Sequence, residues 1–227
     1  MAAPLAGDSV GYEVLENEPP ELMGRNLRVG AYLFAGGTAF FHLCFLFAFF
    51  YLRALDNAGM WKPKGVDTSI GWGTAVVACY VVSALLVRLG LEDHRAARRN
   101  QWRQKGGAAL ALGLAGLVVQ AIAWSHQGFG PADGGFASVY FGWTAFLFLF
   151  VLGTMYWLET VLATSLRYRK TPSGAPAPGE ASGDPHRTGH DIRDPLSLVR
   201  PQLTALSFYW TFLAGIAVLA WVLLYLV

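Results

Sequence analysis

Residues 29–52 read VGAYLFAGGTAFFHLCFLFAFFYL, 24 positions without one Asp, Glu, Lys or Arg. A helix of about 20 residues, at about 1.5 Å rise per residue, crosses a hydrocarbon core of about 30 Å. This stretch is long enough and apolar enough to do so. Four more stretches have the same character: Ile70 to Val87, Gly107 to Trp124, Val139 to Leu162 and Leu203 to Val227. Unpaired backbone N–H and C=O groups are costly in lipid, so spans of this kind are helices or strands of a closed barrel. Barrel strands alternate polarity over about ten residues, whereas Leu43 to Leu52 and Phe146 to Leu152 are apolar on every side. The expected fold is therefore all-α, an integral membrane bundle of five transmembrane helices.

Composition agrees. Hydrophobic residues make up 54% of the 227 and charged residues 14%, with a mean hydropathy of +0.39. A soluble domain carries about a quarter charged residues.

The 17 Lys and Arg residues fall unevenly. Arg25 and Arg28 precede the first span, Arg88 to Lys105 join the second to the third, and Arg167 to Arg200 join the fourth to the fifth. Only Arg53, Lys62 and Lys64 lie on the other side. The positive-inside rule then predicts a cytoplasmic amino terminus and a carboxyl terminus outside. The net charge of +2 reflects these loops and their lipid headgroups, and points to no nucleic acid. Residues 1–28 read as an acidic cytoplasmic segment with Asp8, Glu13, Glu16, Glu18 and Glu21, and without the basic start of a signal peptide. Within the membrane domain, 29–227, residues 171–195 are rich in Pro, Gly, Ser and charge and are expected to be a disordered cytoplasmic linker. Cys44 and Cys79 lie inside spans without paired spacing, as buried inert thiols do.

Chemistry-bearing side chains are few at membrane depth. Haem or copper in a helical bundle needs several converging His, Met or Cys ligands. Only His42 is a mid-span histidine, among Phe40, Phe41 and Phe45, and reads as packing. His186 and His190 have a metal-like spacing but lie in the linker. Glu159 is the one intramembrane acid, a position that by default suggests function. It sits a turn from the basic end of the fourth span, where a carboxylate reaches interfacial water. Arg88 and Glu92 are spaced for an interfacial ion pair. No catalytic, cofactor-binding or metal residues are assigned.

Helix association is more legible. Ala109, Gly113, Gly116, Gln120 and Ala123 follow spacings of 4, 3, 4 and 3, placing four small residues and one amide on a single face of the third span. Small residues let backbones approach, and a Gln in hydrocarbon seeks a partner across a helix interface. That face packs either within the bundle or against a partner. Gly30, Gly36 and Gly37 are weaker candidates in the first span. Trp61, Trp72, Trp124 and Trp143 cluster near the outer ends, as an aromatic belt does.

The chain resembles subunit III of the haem-copper cytochrome oxidases, in the five-helix form found in bacteria. The likeness is colinear from about Ala31 to Leu226. LFAGGTAFFHLCFLFAFFYLR, ending at Arg53, is similar to the family's Leu-Phe-x-x-Ser-Glu-x-x-Phe-Phe segment and its closing Leu-Arg. Trp61 and Pro63 match a common Trp-Pro pair, and Gln120 and Trp124 match the ends of a Gln-x-x-Glu-aromatic pattern. Asp133, Gly134, Ser138 and Phe141 resemble the approach to the next helix, and Phe146, Leu149 and Val151 its core. Tyr209, Trp210, Phe212 and Tyr225 resemble the family's final helix.

The family's intramembrane acid and imidazole groups are replaced. Thr38 and Ala123 stand where it has Glu, Leu147 and Phe150 where it has paired His, and Thr211 and Ala214 where it has His and Asp. The resemblance implies a non-catalytic subunit without a cofactor of its own. It would pack against a catalytic subunit I that carries haem and copper, beside subunit II and membrane lipids, in aerobic electron transport. The nearer alternative is the accessory subunit of a nitric oxide reductase, which looks like the same family and which the stripped polar positions would suit. A small transporter is more distant, because Glu159, His42 and Gln120 would have to line one path and no inverted repeat is evident. Interface candidates are Ala109, Gly113, Gly116, Gln120, Arg53, Tyr209 and Trp210.

Overall fold

The computed structural model describes residues 20–56, 59–167 and 195–227. They form five α-helices: α1 (Pro20–Ala54), α2 (Ile70–Arg95), α3 (Arg99–Ser125), α4 (Gly135–Arg167) and α5 (Pro195–Trp221). A single π-helical turn, Val222–Leu226, continues α5. Each of the five is long and apolar enough to cross a membrane, and no strand occurs among the described residues. The protein is an all-α membrane bundle. The expected linker and its His186 and His190 lie almost wholly outside the described residues, as do residues 1–19.

The helices outrun the apolar segments. α1 starts at Pro20 rather than Val29, with proline at the first helical position, where its missing N–H costs nothing. α2 continues two turns past Val87 to Arg95, and α3 begins at Arg99, two turns before Gly107. Only Ala96–Arg98 join them, with Ala97 at φ 59° making the reversal. Hydropathy falls at the first charges, but a helix leaving the hydrocarbon keeps its own hydrogen bonds and needs only to solvate its side chains. The basic residues 88–105 are therefore mostly helical ends rather than a loop.

α5 is the central helix. It packs against α1, α2 and α4, and half of its most apolar stretch is buried, against 22% for α1 at the periphery. α3 packs on α2 and α4. One core, built on Tyr80, Trp102, Met155, Leu206 and Trp210, runs from the basic end through the middle. A second, with Phe49, Phe136, Tyr140 and Trp143, fills the opposite end.

The α3–α4 pair sets a common depth scale. Trp102 bonds Ser165, Gly106 faces Leu162, Gly113 faces Met155, and Trp124 bonds Thr144. Each step along α3 is matched by one step back along α4. Position 159 therefore stands level with Ala109.

Candidate functional site

The small-residue face of α3 lies wholly inside the bundle. Ala109, Gly113, Gly116, Gln120 and Ala123 are all buried. A β-carbon on Gly113 would run into Met155 Sδ of α4, and one on Gly116 would stand 2.5 Å from the Tyr80 ring of α2. The two glycines thus serve different neighbours. Their face is filled by α2 and α4 of the same chain and offers nothing to another subunit.

A polar relay crosses the same level. Trp210 of α5 donates its indole N–H to Ser83 Oγ of α2 at 3.1 Å, and Ser83 donates to the Ala109 carbonyl of α3 at 2.6 Å. Tyr209, one residue earlier, shares a 3.1 Å hydrogen bond with Thr38 of α1. Tyr209 and Trp210 are both fully buried and hold α5 to α1 and α2, and Ser83 carries the link on to α3. Of the interface candidates, only Arg53 is exposed.

Gln120 lines a small cavity of about 20 Å³ with Tyr80, Thr144 and Trp221. Its Nε2, the Tyr80 hydroxyl and the Trp221 indole nitrogen are buried without a hydrogen-bond partner among the described residues. The helix-to-helix amide bond expected for Gln120 Nε2 is not made. Thr144, by contrast, accepts from Trp124 at 3.0 Å and donates to the Tyr140 carbonyl at 2.7 Å.

His42 is buried with its Nδ1 2.8 Å from the Thr38 carbonyl, one turn earlier in its own helix. Its ring packs on Phe41 and Phe150. Glu159 is exposed on the outer side of α4. Level with Ala109, it lies about one turn, roughly 6 Å, deeper than Lys105. Glu159, His42 and Gln120 do not converge, so the path a transporter requires is not formed by them. Among the described residues no three or more His, Cys, Asp or Glu side chains come together as a metal site.

The Arg88–Glu92 ion pair does not form. Both side chains are exposed, and an Arg placed N-terminal to Glu is the weaker i,i+4 order. Asp93 is the acid that pairs. It is buried against the α2–α3 turn, with Arg98 at 2.6 Å and Lys105 at 2.5 Å. Nearby, Trp102 Nε1 donates to Ser165 Oγ at 3.2 Å and Arg103 donates to the Ser165 carbonyl, fastening α3 to α4. Sequence reading passed over Ser83, Asp93, Thr144 and Ser165. The available signal was a small polar residue within an apolar run for Ser83 and Thr144, and an acid set among bases for Asp93; Ser165, beyond the fourth apolar run and next to Thr164, carried no such signal.

The geometry is that of a bundle whose intramembrane polar groups serve packing. Comparison with known proteins agrees with the likeness of its motifs. The family model for cytochrome c oxidase subunit III matches residues 15–173, spanning α1 to α4. Cytochrome c oxidase subunit 3 of Tachyglossus aculeatus aculeatus is 27% identical over 156 residues, 66% of this chain and 60% of the relative. The chain therefore spans somewhat under two thirds of that relative's length. With the family match covering well over half of it, the chain belongs to the cytochrome c oxidase subunit III family.

Proposed function

We propose that this chain is a non-catalytic accessory subunit of a respiratory haem-copper oxidase, seated in a bacterial cytoplasmic membrane with its basic end toward the cytoplasm. It packs against the catalytic subunit I, which holds the haems and copper, in a complex that also contains subunit II. Binding to the folded catalytic subunit stabilises that state by mass action. The observation that carries this reading is the family membership, taken with a bundle whose intramembrane polar side chains Thr38, Ser83, Thr144 and Tyr209 are engaged in hydrogen bonds within the chain. Thr38 is instructive: it stands where the family has Glu, and here it bonds Tyr209.

A second reading, an accessory subunit of a nitric oxide reductase, is favoured by the replaced polar positions, which suit a divergent member of the same family. Purification in mild detergent through a tag on this chain separates the readings. A large haem-bearing polytopic subunit is expected in stoichiometric amount, and the haem type and reduced-minus-oxidised spectrum distinguish oxidase from reductase. A colourless chain that stays folded alone would overturn both.

A further inference from the structure

Toward the end opposite the basic residues, four helices each turn one polar side chain into the same small cavity of about 20 Å³. Tyr80 comes from α2, Gln120 from α3, Thr144 from α4 and Trp221 from the last position of α5. Gln120 lies one turn, about 6 Å, inward of Trp124. The cavity is therefore at membrane depth.

The hydrogen bonds of these groups do not close within the chain. Gln120 Nε2, the Tyr80 hydroxyl and Trp221 Nε1 are buried, and each lacks a partner among the described residues. Thr144 Oγ1 accepts from Trp124 and donates to the Tyr140 carbonyl, and a hydroxyl oxygen keeps a second lone pair. Two N–H donors thus stand beside two oxygens able to accept. Left bare at this depth, each unpaired group is destabilising, because lipid offers no replacement bond.

The lining narrows what can fill the space. It holds no ionised side chain to neutralise an anion, and an apolar guest would leave all three groups bare. Water accepts twice, donates twice and carries no charge. A cavity of at least about 10 to 15 Å³ holds one molecule. Tyr225 lines both this cavity and the open pocket of about 320 Å³ at the same end of the bundle. Its ring lies against Gly73, where a β-carbon would stand 2.5 Å from it, and its hydroxyl shares a 3.1 Å hydrogen bond with Tyr140. Tyr225 is the partition between the cavity and the surface.

We propose that this cavity is a binding site for a single structural water, which accepts from Gln120 and Trp221 and donates to Tyr80 and Thr144. The water is the common partner of α2, α3, α4 and α5 near this end, as Ser83 joins α2, α3 and α5 deeper in the bundle. The site belongs to the bundle alone, so it stands whichever complex the chain joins.

Thermal unfolding of the full chain in detergent tests the site by the sign of the change. With the water in place, Tyr80→Phe, Gln120→Leu and Trp221→Phe each break one of its bonds, and each should lower the melting temperature by about 2 to 4 °C. The triple variant should lose less than the sum, because an apolar cavity asks for no partner. Were the groups simply bare, Tyr80→Phe would remove a buried unpaired hydroxyl and raise the melting temperature. A rise or no change in Tyr80→Phe, or a triple variant at or beyond the sum, would overturn the proposal. Water-edited solid-state NMR of the chain in bilayers, with isotope-labelled tryptophan, gives a reading independent of stability. The Trp221 indole nitrogen, assigned by its loss in Trp221→Phe, should be polarised from water protons, and the transfer should fall when Tyr80→Phe and Gln120→Leu are combined. Absence of that transfer would overturn the site. So would a melting temperature higher in chloride than in gluconate at equal ionic strength and insensitive to the anion in Gln120→Leu, which would mean that an anion fills the cavity.

Discussion

Trp210 and Ser83 meet across the α2–α5 interface at 3.1 Å, and the serine passes the contact on to the Ala109 carbonyl of α3 at 2.6 Å. One hydroxyl, both acceptor and donor, ties three helices together in the middle of the bundle. An indole N–H without an acceptor is expensive there, because neither water nor lipid replaces the bond.

Ser83→Ala should therefore destabilise the bundle by about 1 kcal/mol, the usual net value of one such bond. Trp210→Phe should cost more, since packing is lost too. The two together should cost less than their sum, because both remove the same bond. Thermal unfolding in detergent over this double-mutant cycle is the check; strict additivity would show that the relay carries no energy.

Two glycines of α3 separate close packing from helix propensity. Gly113→Ala places a methyl into Met155 and should destabilise by about 1 to 3 kcal/mol. Gly107→Ala meets nothing within 4 Å and should be neutral or stabilising by up to about 1 kcal/mol. Melting temperatures that fall equally for both would refute the assignment of Gly113 to the α3–α4 contact.

Asp93 holds the short turn between α2 and α3 through Arg98 and Lys105. Asp93→Asn should lower the melting temperature and speed tryptic cleavage among Arg95, Arg98 and Arg99. Arg98→Gln should do less, because Lys105 remains on the carboxylate. An unchanged cleavage rate in Asp93→Asn would show that the turn is held by its backbone alone.

Glu159 faces away from the bundle, so its removal should spare the fold. Glu159→Gln should change stability by no more than about 0.5 kcal/mol, as exposed substitutions generally do. It should also leave turnover of a co-purified oxidase within twofold. A large fall in turnover with normal assembly would give this carboxylate a functional part.

Legibility varied by feature. The five spans stood out because lipid forbids any other backbone, and the α3 face stood out because its small residues keep a helical period from Ala109 to Ala123. Helix ends did not, since the apolar signal stops at Arg88 and Gly107 while the backbone hydrogen bonds run on to within three residues of each other. The Arg88–Glu92 spacing suggested an ion pair, yet the acid that pairs is Asp93, one position round the helix and turned toward Arg98 and Lys105.

Depth is encoded along the chain: each residue's distance from the hydrocarbon boundary follows from counting at about 1.5 Å per residue. The sequence by itself therefore determined the solvent, the number of helices, the polarity of their ends and the family. Direction around each helix axis depends on neighbours supplied by distant segments. Only the tertiary structure decided that Gly113 meets Met155 while Gly116 meets Tyr80, that Ser83 lies between Trp210 and Ala109, and that Glu159 points outward. A side chain's partners are set by how five helices share one interior, which no single helix specifies.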